Sequence, residues 1–357
     1  MIEEFTYQVR LAKVMGVFES PPEKWIKFLK AHQYFILFIQ TFSIIVFCPR
    51  PNYHILVITE NLADLVTTVL SNLKYMFFLI SAKKCFQLMH EVKDLNKKWK
   101  FKELHSFIDK ANKMDRFVFM TMFLACCSAT TGYCTAPMIK NLITYFFMDQ
   151  PFPYEMPLNA TYYVEYKYFP LYQILYLSQG YNSILSGMQN VVVDTFFFGS
   201  CINICAHFEI LRNIINEINV KEFVDYHQKT LELATKLNKI FGIVIFGEYL
   251  ILSVIFCVIG FQVVISEDLI HSVPMMFHGT AALINLLIYS YGGEIIMDHA
   301  NKVCEDCYKI NKDYLIVMMR TKHEYKVESM MYHASLPTFS LIMGRTMSMI
   351  TLLESFI

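Results

Sequence analysis

The chain has 357 residues, 55% of them apolar and 17% charged, and its 31 basic side chains balance 31 acidic ones. An average soluble domain carries about 25% charged residues, so this composition excludes an ordinary water-soluble fold, and the neutral total gives no argument for a nucleic-acid partner. The ten cysteines form no short, regular extracellular framework. Most, including Cys126, Cys127, Cys201, Cys205 and Cys257, sit in apolar runs where a free thiol behaves as a small hydrophobe.

From the N-terminus, Met1 to Glu23 is polar and mixed in charge, with no apolar core leading to a small-residue cleavage site. Targeting is therefore expected to fall to the first membrane helix. A bilayer-spanning helix needs roughly 20 mostly apolar residues, and seven stretches qualify: about 31–49, 53–81, 117–138, 172–206, 240–265, 273–297 and 333–357. The reading is an all-α integral membrane protein, organised as a single seven-helix membrane domain over 1–357, with several helices continuing beyond the bilayer.

Lysine and arginine set the orientation. Counted along the chain, the segments outside the spans carry five, one, ten, two, five, none and six of them. Rich and poor segments alternate without a break, which places the N-terminus in the cytosol and, after seven spans, the C-terminus outside. The sequon Asn159-Ala160-Thr161 falls in a loop assigned to the outside, making Asn159 the expected glycosylation site. The basic segments 83–115, 208–239 and 300–326 mix apolar and charged residues at helical spacing, with stripes at Leu88, Val92, Leu95 and Trp99 and at Leu233, Leu237 and Ile240. Such stripes need a partner surface, either within one subunit or between subunits.

Ionisable groups inside spans are costly and invite a functional reading. Here they are Glu60, Asp64 and Lys74 in span two, Asp194 in span four, Glu248 in span five and Arg345 in span seven. They suit either internal pairing or a water-filled path. The outer half of the bundle is rich in aromatics and hydroxyls. Tyr172, Tyr176, Tyr181 and Ile184 from span four, Phe277 and Thr280 from span six, Thr131 and Thr135 from span three, and Val66 and Val69 from span two form the candidate ligand-binding set. An apolar pocket with a few hydroxyls suits small, weakly polar molecules; plain core or lipid-facing packing is the alternative for each residue.

Nothing points to catalysis. The chain has no phosphate-cradling glycine loop, no HExxH pair and no Gly-x-Ser-x-Gly elbow. Cys304 and Cys307 have CxxC spacing without a second ligand pair, so no metal or other cofactor is expected and the chain is read as not an enzyme.

Local motifs then carry a resemblance. "VMGVFESPP" from Val14, "QPFPYEMP" from Gln150, Tyr172-Gln173, the run containing Asp194, His207 and Leu211, "HQKTLELATKLNKIFG" from His227, "YSYGGEIIMDHANKV" from Tyr289 and "TFSLIMGRTMSMITLLESFI" from Thr338 together resemble the insect odorant receptors over essentially the whole chain. The chain looks like a ligand-tuning subunit, since the 33 residues from 207 to 239 leave no room for the longer second cytosolic loop of the shared co-receptor. The resemblance implies a ligand-gated, non-selective cation channel of four subunits at the plasma membrane of sensory-neuron dendrites, with a co-receptor as partner and a small volatile as ligand. It further implies that the last helix lines the pore, with Leu352 matching the family's apolar gate; Ser348 and Ser355 share its face at helical spacing. Where the family commonly reads Ser-Tyr-Ser-Tyr, this chain reads Thr346-Met347-Ser348-Met349, which leaves the pore-facing register open. A gustatory-type receptor of the same superfamily and a membrane transporter remain the alternatives.

Overall fold

The structure is a computed structural model that describes residues 5–15, 17, 55–98, 105–148, 151–157, 165–265, 269–310, 327 and 333–354. The expected first span, 31–49, lies outside these residues, as do Asn159, Ser355 and Trp99; the side chains of Glu60 and Asp64 do too. The described elements are eight helices: α1 Thr6–Val14, α2 Ile55–Ile80, α3 Ala82–Lys98, α4 His105–Phe147, α5 Leu171–Ile214, α6 Val220–Ile265, α7 Leu269–Ile310 and α8 Leu336–Glu354. Below, "inner" denotes the end of the bundle carrying the lysine-rich connections and "outer" the opposite end.

Helices α4 to α7 have 43, 44, 46 and 42 residues. At 1.5 Å per residue each is roughly 65 Å long, about twice the hydrocarbon thickness of a bilayer. All four contain a stretch long and apolar enough to cross a membrane. Their charged thirds continue past it, so the spans expected at 117–138, 172–206, 240–265 and 273–297 are parts of longer helices. The expected span 53–81 is α2, which passes through Ser81 into α3.

The core forms around α5. Every residue from Val191 to Phe208 is buried, because neighbours close round this helix on all sides: α4, α7, α6, α2 and α1 all pack against it. A helix that is apolar all round has this environment. The contact with α4 is close because α5 offers glycine there. A methyl group on Gly187 would stand 2.4 Å from Cys126 Sγ, so any larger residue would force the two helices apart.

The stripes on the inner helices are satisfied within this chain. Leu88, Val92 and Leu95 of α3 and Leu233, Leu237 and Ile240 of α6 are all buried, and Lys236 Nζ reaches Glu91 Oε2 at 2.6 Å across the same contact. The short α1 closes the inner end of the bundle. Phe5 meets Phe196 at a tilt, with ring centres 5.4 Å apart, Tyr75 OH donates to the Met15 carbonyl at 3.1 Å, and Gln8 Nε2 donates to Asp115 Oδ1 at 2.7 Å.

Helix α8 rests on α6 and α7. Thr338, Ile342 and Thr346, spaced four apart, are buried in that contact. Its seat is cut by two glycines: a methyl on Gly293 would lie 2.2 Å from the Ala334 carbonyl oxygen, and one on Gly260 would lie 2.1 Å from Ile350 Cδ1. These contacts fix the rotation of α8. The stripe beside that contact, with Leu341, Arg345, Ser348 and Leu352, is left open.

Candidate functional site

A polar column runs through the bundle from its outer half to the foot of α8. On α2 it consists of Thr67, Ser71 and Lys74, spaced one turn apart so that they share a face. At the outer end Thr67 Oγ1 lies 2.9 Å from His278 Nε2 on α7. The Thr67 hydroxyl directs its own proton to the Ala63 carbonyl at 2.8 Å, so the imidazole Nε2–H is the donor to Thr67. One turn further in, Asn190 Nδ2 of α5 donates to Ser71 Oγ at 2.7 Å, and Ser71 donates to the Thr67 carbonyl at 2.9 Å.

Below that lies an ionic centre. Lys74 Nζ is 2.7 Å from Asp194 Oδ1 and also pairs with Glu248 Oε1 of α6. Tyr289 OH of α7 donates to the same Asp194 oxygen at 2.6 Å, and the ammonium sits 5.5 Å from the centre of the Tyr289 ring. Four helices therefore meet at one ammonium, and Lys74, Asp194 and Glu248 are 2%, 0% and 0% exposed. Removing one member of a buried ion pair strands the other charge, at a cost of about 3–5 kcal/mol. The column ends beside this centre: Tyr249 OH lies 3.0 Å from Ser290 Oγ and meets the backbone of Ser335, immediately before α8.

The expected ligand-binding residues fall in two groups. On the α2–α7 side, Val66 and Val69 are half-buried, whereas Phe277 and Thr280 are accessible; the Thr280 hydroxyl is returned to the Met276 carbonyl at 2.8 Å. On the α4–α5 side, Tyr172 is buried and meets the half-buried Tyr176 at a tilt, with ring centres 5.6 Å apart. Thr131, Thr135, Tyr181 and Ile184 are accessible. Tyr172 OH donates to the Glu155 carbonyl at 2.8 Å and accepts from Asn141 Nδ2 at 2.8 Å, while Asn141 Oδ1 takes the Glu155 N–H at 3.0 Å. Phe152 and Tyr154 meet the Tyr172 ring edge-on at 5.7 and 5.2 Å. Tyr172 therefore pins the segment 151–157 onto the outer ends of α4 and α5. Tyr176 likewise donates to the Cys134 carbonyl.

Sequence reasoning did not find Thr67 and His278, although it named their neighbours Val66 and Phe277. The available signal was a histidine well inside a span, where an imidazole needs a partner. It also named Lys74, Asp194 and Glu248 without pairing them. Farther in, His207 of the Asp194–Leu211 run lies 2.9 Å from Tyr226 OH. Burial pushes its imidazole down to about 3, so it is a neutral, fixed hydrogen-bonding group. On α8, Ser348 and Leu352 are exposed together, Leu352 to 51%.

Long apolar helices joined by a buried ionic centre define an all-helical membrane protein. The chain belongs to the 7tm odorant receptor family, whose model matches residues 54–347. Among relatives in Drosophila melanogaster, odorant receptor 82a is 24% identical over 331 residues, covering 84% of each chain. Odorant receptor 45a is 22% identical and covers 99% of this chain and 98% of its own. The fold is similar to that of the olfactory receptor OR5 from Machilis hrabei in complex with eugenol, with a TM-score of 0.83 at 12% identity and 98% of each chain covered. A second structure of the same receptor aligns with a TM-score of 0.82 at 12% identity. The chain is thus an integral membrane odorant receptor of the seven-helix, all-α class.

Proposed function

We propose that this receptor is the ligand-tuning subunit of an odorant-gated, non-selective cation channel, working beside a co-receptor in a four-subunit assembly at the plasma membrane of sensory dendrites. The observation that carries the reading is the column itself, which links the outer residues of α2, α5 and α7 to the foot of α8, a helix that leaves Leu341, Arg345, Ser348 and Leu352 exposed. The charge alternation supports a cytosolic N-terminus and an external C-terminus. Residues 1–357 form one membrane unit, and Asn159 is its glycosylation site.

The ligand is a small, weakly polar volatile held between α2, α4, α5 and α7. Val66, Val69, Thr131, Thr135, Tyr172, Tyr176, Tyr181, Ile184, Phe277 and Thr280 surround it, together with Thr67 and His278. The eugenol complex of Machilis OR5 is of the same chemical kind. Binding shifts a closed–open equilibrium only by its differential affinity for the two states; moving it from mostly closed to mostly open takes about 5.5 kcal/mol. In the closed state Leu352 occludes the path, with Ser348 and Ser355 on the same face.

Whole-cell current from cells expressing this chain with and without the co-receptor, against a panel of volatiles, tests the reading. Current that requires both chains and survives G-protein blockade is expected. Ligand-driven solute uptake without current would assign the chain to the transporters instead.

A further inference from the structure

Of the ionisable residues inside the spans, Lys74, Asp194 and Glu248 pair with one another in the core. Arg345 is different. It is exposed, it makes no ion pair among the described residues, and it lies at the midpoint of α8, nine residues from Leu336 and nine from Glu354. At 1.5 Å per residue that is about 13 Å from either end, well inside a hydrocarbon layer about 30 Å thick. An arginine reaches only part of that distance by snorkelling. A guanidinium at that depth facing lipid costs at least about 2.5–3.5 kcal/mol, so the face that carries it faces water.

That face borders the contacts that α8 makes with its neighbours. Thr338, Ile342 and Thr346 are buried against α6 and α7, and Ile350 sits over Gly260. Leu341, Arg345, Ser348 and Leu352, spaced four, three and four, form an exposed stripe beside the buried one. Arg345 is seven residues before Leu352, about 10 Å toward the inner end, a distance comparable to the Debye length of about 8–10 Å at ionic strengths of about 0.15–0.1 M.

We infer that Arg345 lines the ion path on the inner side of Leu352 and acts as an electrostatic filter that holds down cation flux, divalent cations most. The inference rests on the channel reading above. Each subunit of this kind places one fixed positive charge at the path. The repulsion it exerts on a permeating ion scales with the ion's charge, and rings of charged side chains set selectivity in this way. Calcium is therefore discriminated against relative to sodium, and the number of these chains in an assembly sets the degree.

The test is the calcium-to-sodium permeability ratio from bi-ionic reversal potentials, together with unitary conductance, for this chain and its R345K, R345Q and R345E variants in the co-receptor assembly. R345K is expected to match the parent, R345Q to raise both quantities and R345E to raise them further. A fourth variant, R345C, bears the charge change after assembly: an anionic, membrane-impermeant methanethiosulfonate reagent should raise both quantities and a cationic one should restore the parent values, with the unsubstituted chain as the background for native cysteines. Ligand-evoked currents of parental permeability and conductance in every variant, with R345C unmodified, would overturn the inference and leave the channel reading standing. Absence of any current that depends on this chain, with the assembly at the cell surface, would overturn both.

Discussion

Lys74 Nζ lies 2.7 Å from Asp194 Oδ1 in the interior of the bundle, tying α2 to α5 through an ammonium that also pairs with Glu248 of α6. The contact replaces water for three charged groups at once, and all three depend on it.

Lys74→Met should strand two carboxylates and destabilise the fold by about 3–5 kcal/mol. The expected outcome is loss of the monodisperse peak in detergent and of surface expression. Replacing all three groups together, Lys74→Met with Asp194→Asn and Glu248→Gln, removes the stranded charge and should recover part of the folded yield. Recovery with the triple variant, against loss with the single one, separates an ionic role from one of side-chain volume.

Thr67→Val removes the acceptor of the His278 imidazole while keeping the shape of the side chain. A single neutral hydrogen bond is worth about 0.5–1.5 kcal/mol. Half-maximal ligand concentrations in dose–response curves should shift by up to about tenfold, with surface expression near the parent level.

Asn141→Ala breaks the three-way contact among Asn141, Tyr172 and the Glu155 backbone. Because it leaves the Glu155 N–H without its acceptor and takes one of two bonds from the Tyr172 hydroxyl, it should cost more than Tyr172→Phe, which keeps the Asn141–Glu155 pair. The difference should be about 1–3 kcal/mol for the stranded N–H. Limited proteolysis within residues 150–165 should accelerate in the order parent, Tyr172→Phe, Asn141→Ala.

Asp115, just before the apolar part of α4, has a carboxyl pushed up to about 7 by burial, opposed by the hydrogen bond from Gln8. A carboxyl whose folded-state value is raised binds its proton more tightly when folded. Its contribution is therefore fully present below its ordinary value of 3.8 and is lost as pH rises toward 7. The melting temperature in detergent should fall between pH 5 and pH 7.5 for the parent and change less for Asp115→Asn. A parent and variant with identical pH profiles would contradict this.

Much of the fold is legible in the sequence because membrane helices are chosen by composition. The apolar stretches inside α4 to α7 stand out by length and polarity alone, and the intramembrane charges Lys74, Asp194 and Glu248 stand out by their rarity. Their pairing was not legible, since a hydrophobic run specifies a span but not which face of which neighbour it meets. Hydroxyls were a weak guide for a related reason: Thr280, Thr135 and Ser348 return their protons to carbonyls three or four residues earlier, so a hydroxyl in a span need not mark a site. His278 carried the better signal, an imidazole inside an apolar run. The seat of α8 depends on Gly260 and Gly293, residues whose importance comes from what they lack and which no periodicity reveals.

The most direct measurement is single-channel recording in excised, GTP-free patches from cells expressing this chain with the co-receptor, while a volatile that excites the intact cells is applied. The predicted result is ligand-evoked unitary openings that vanish when this chain is omitted. Patches that stay silent while intact cells respond only through G-protein signalling would contradict the channel reading.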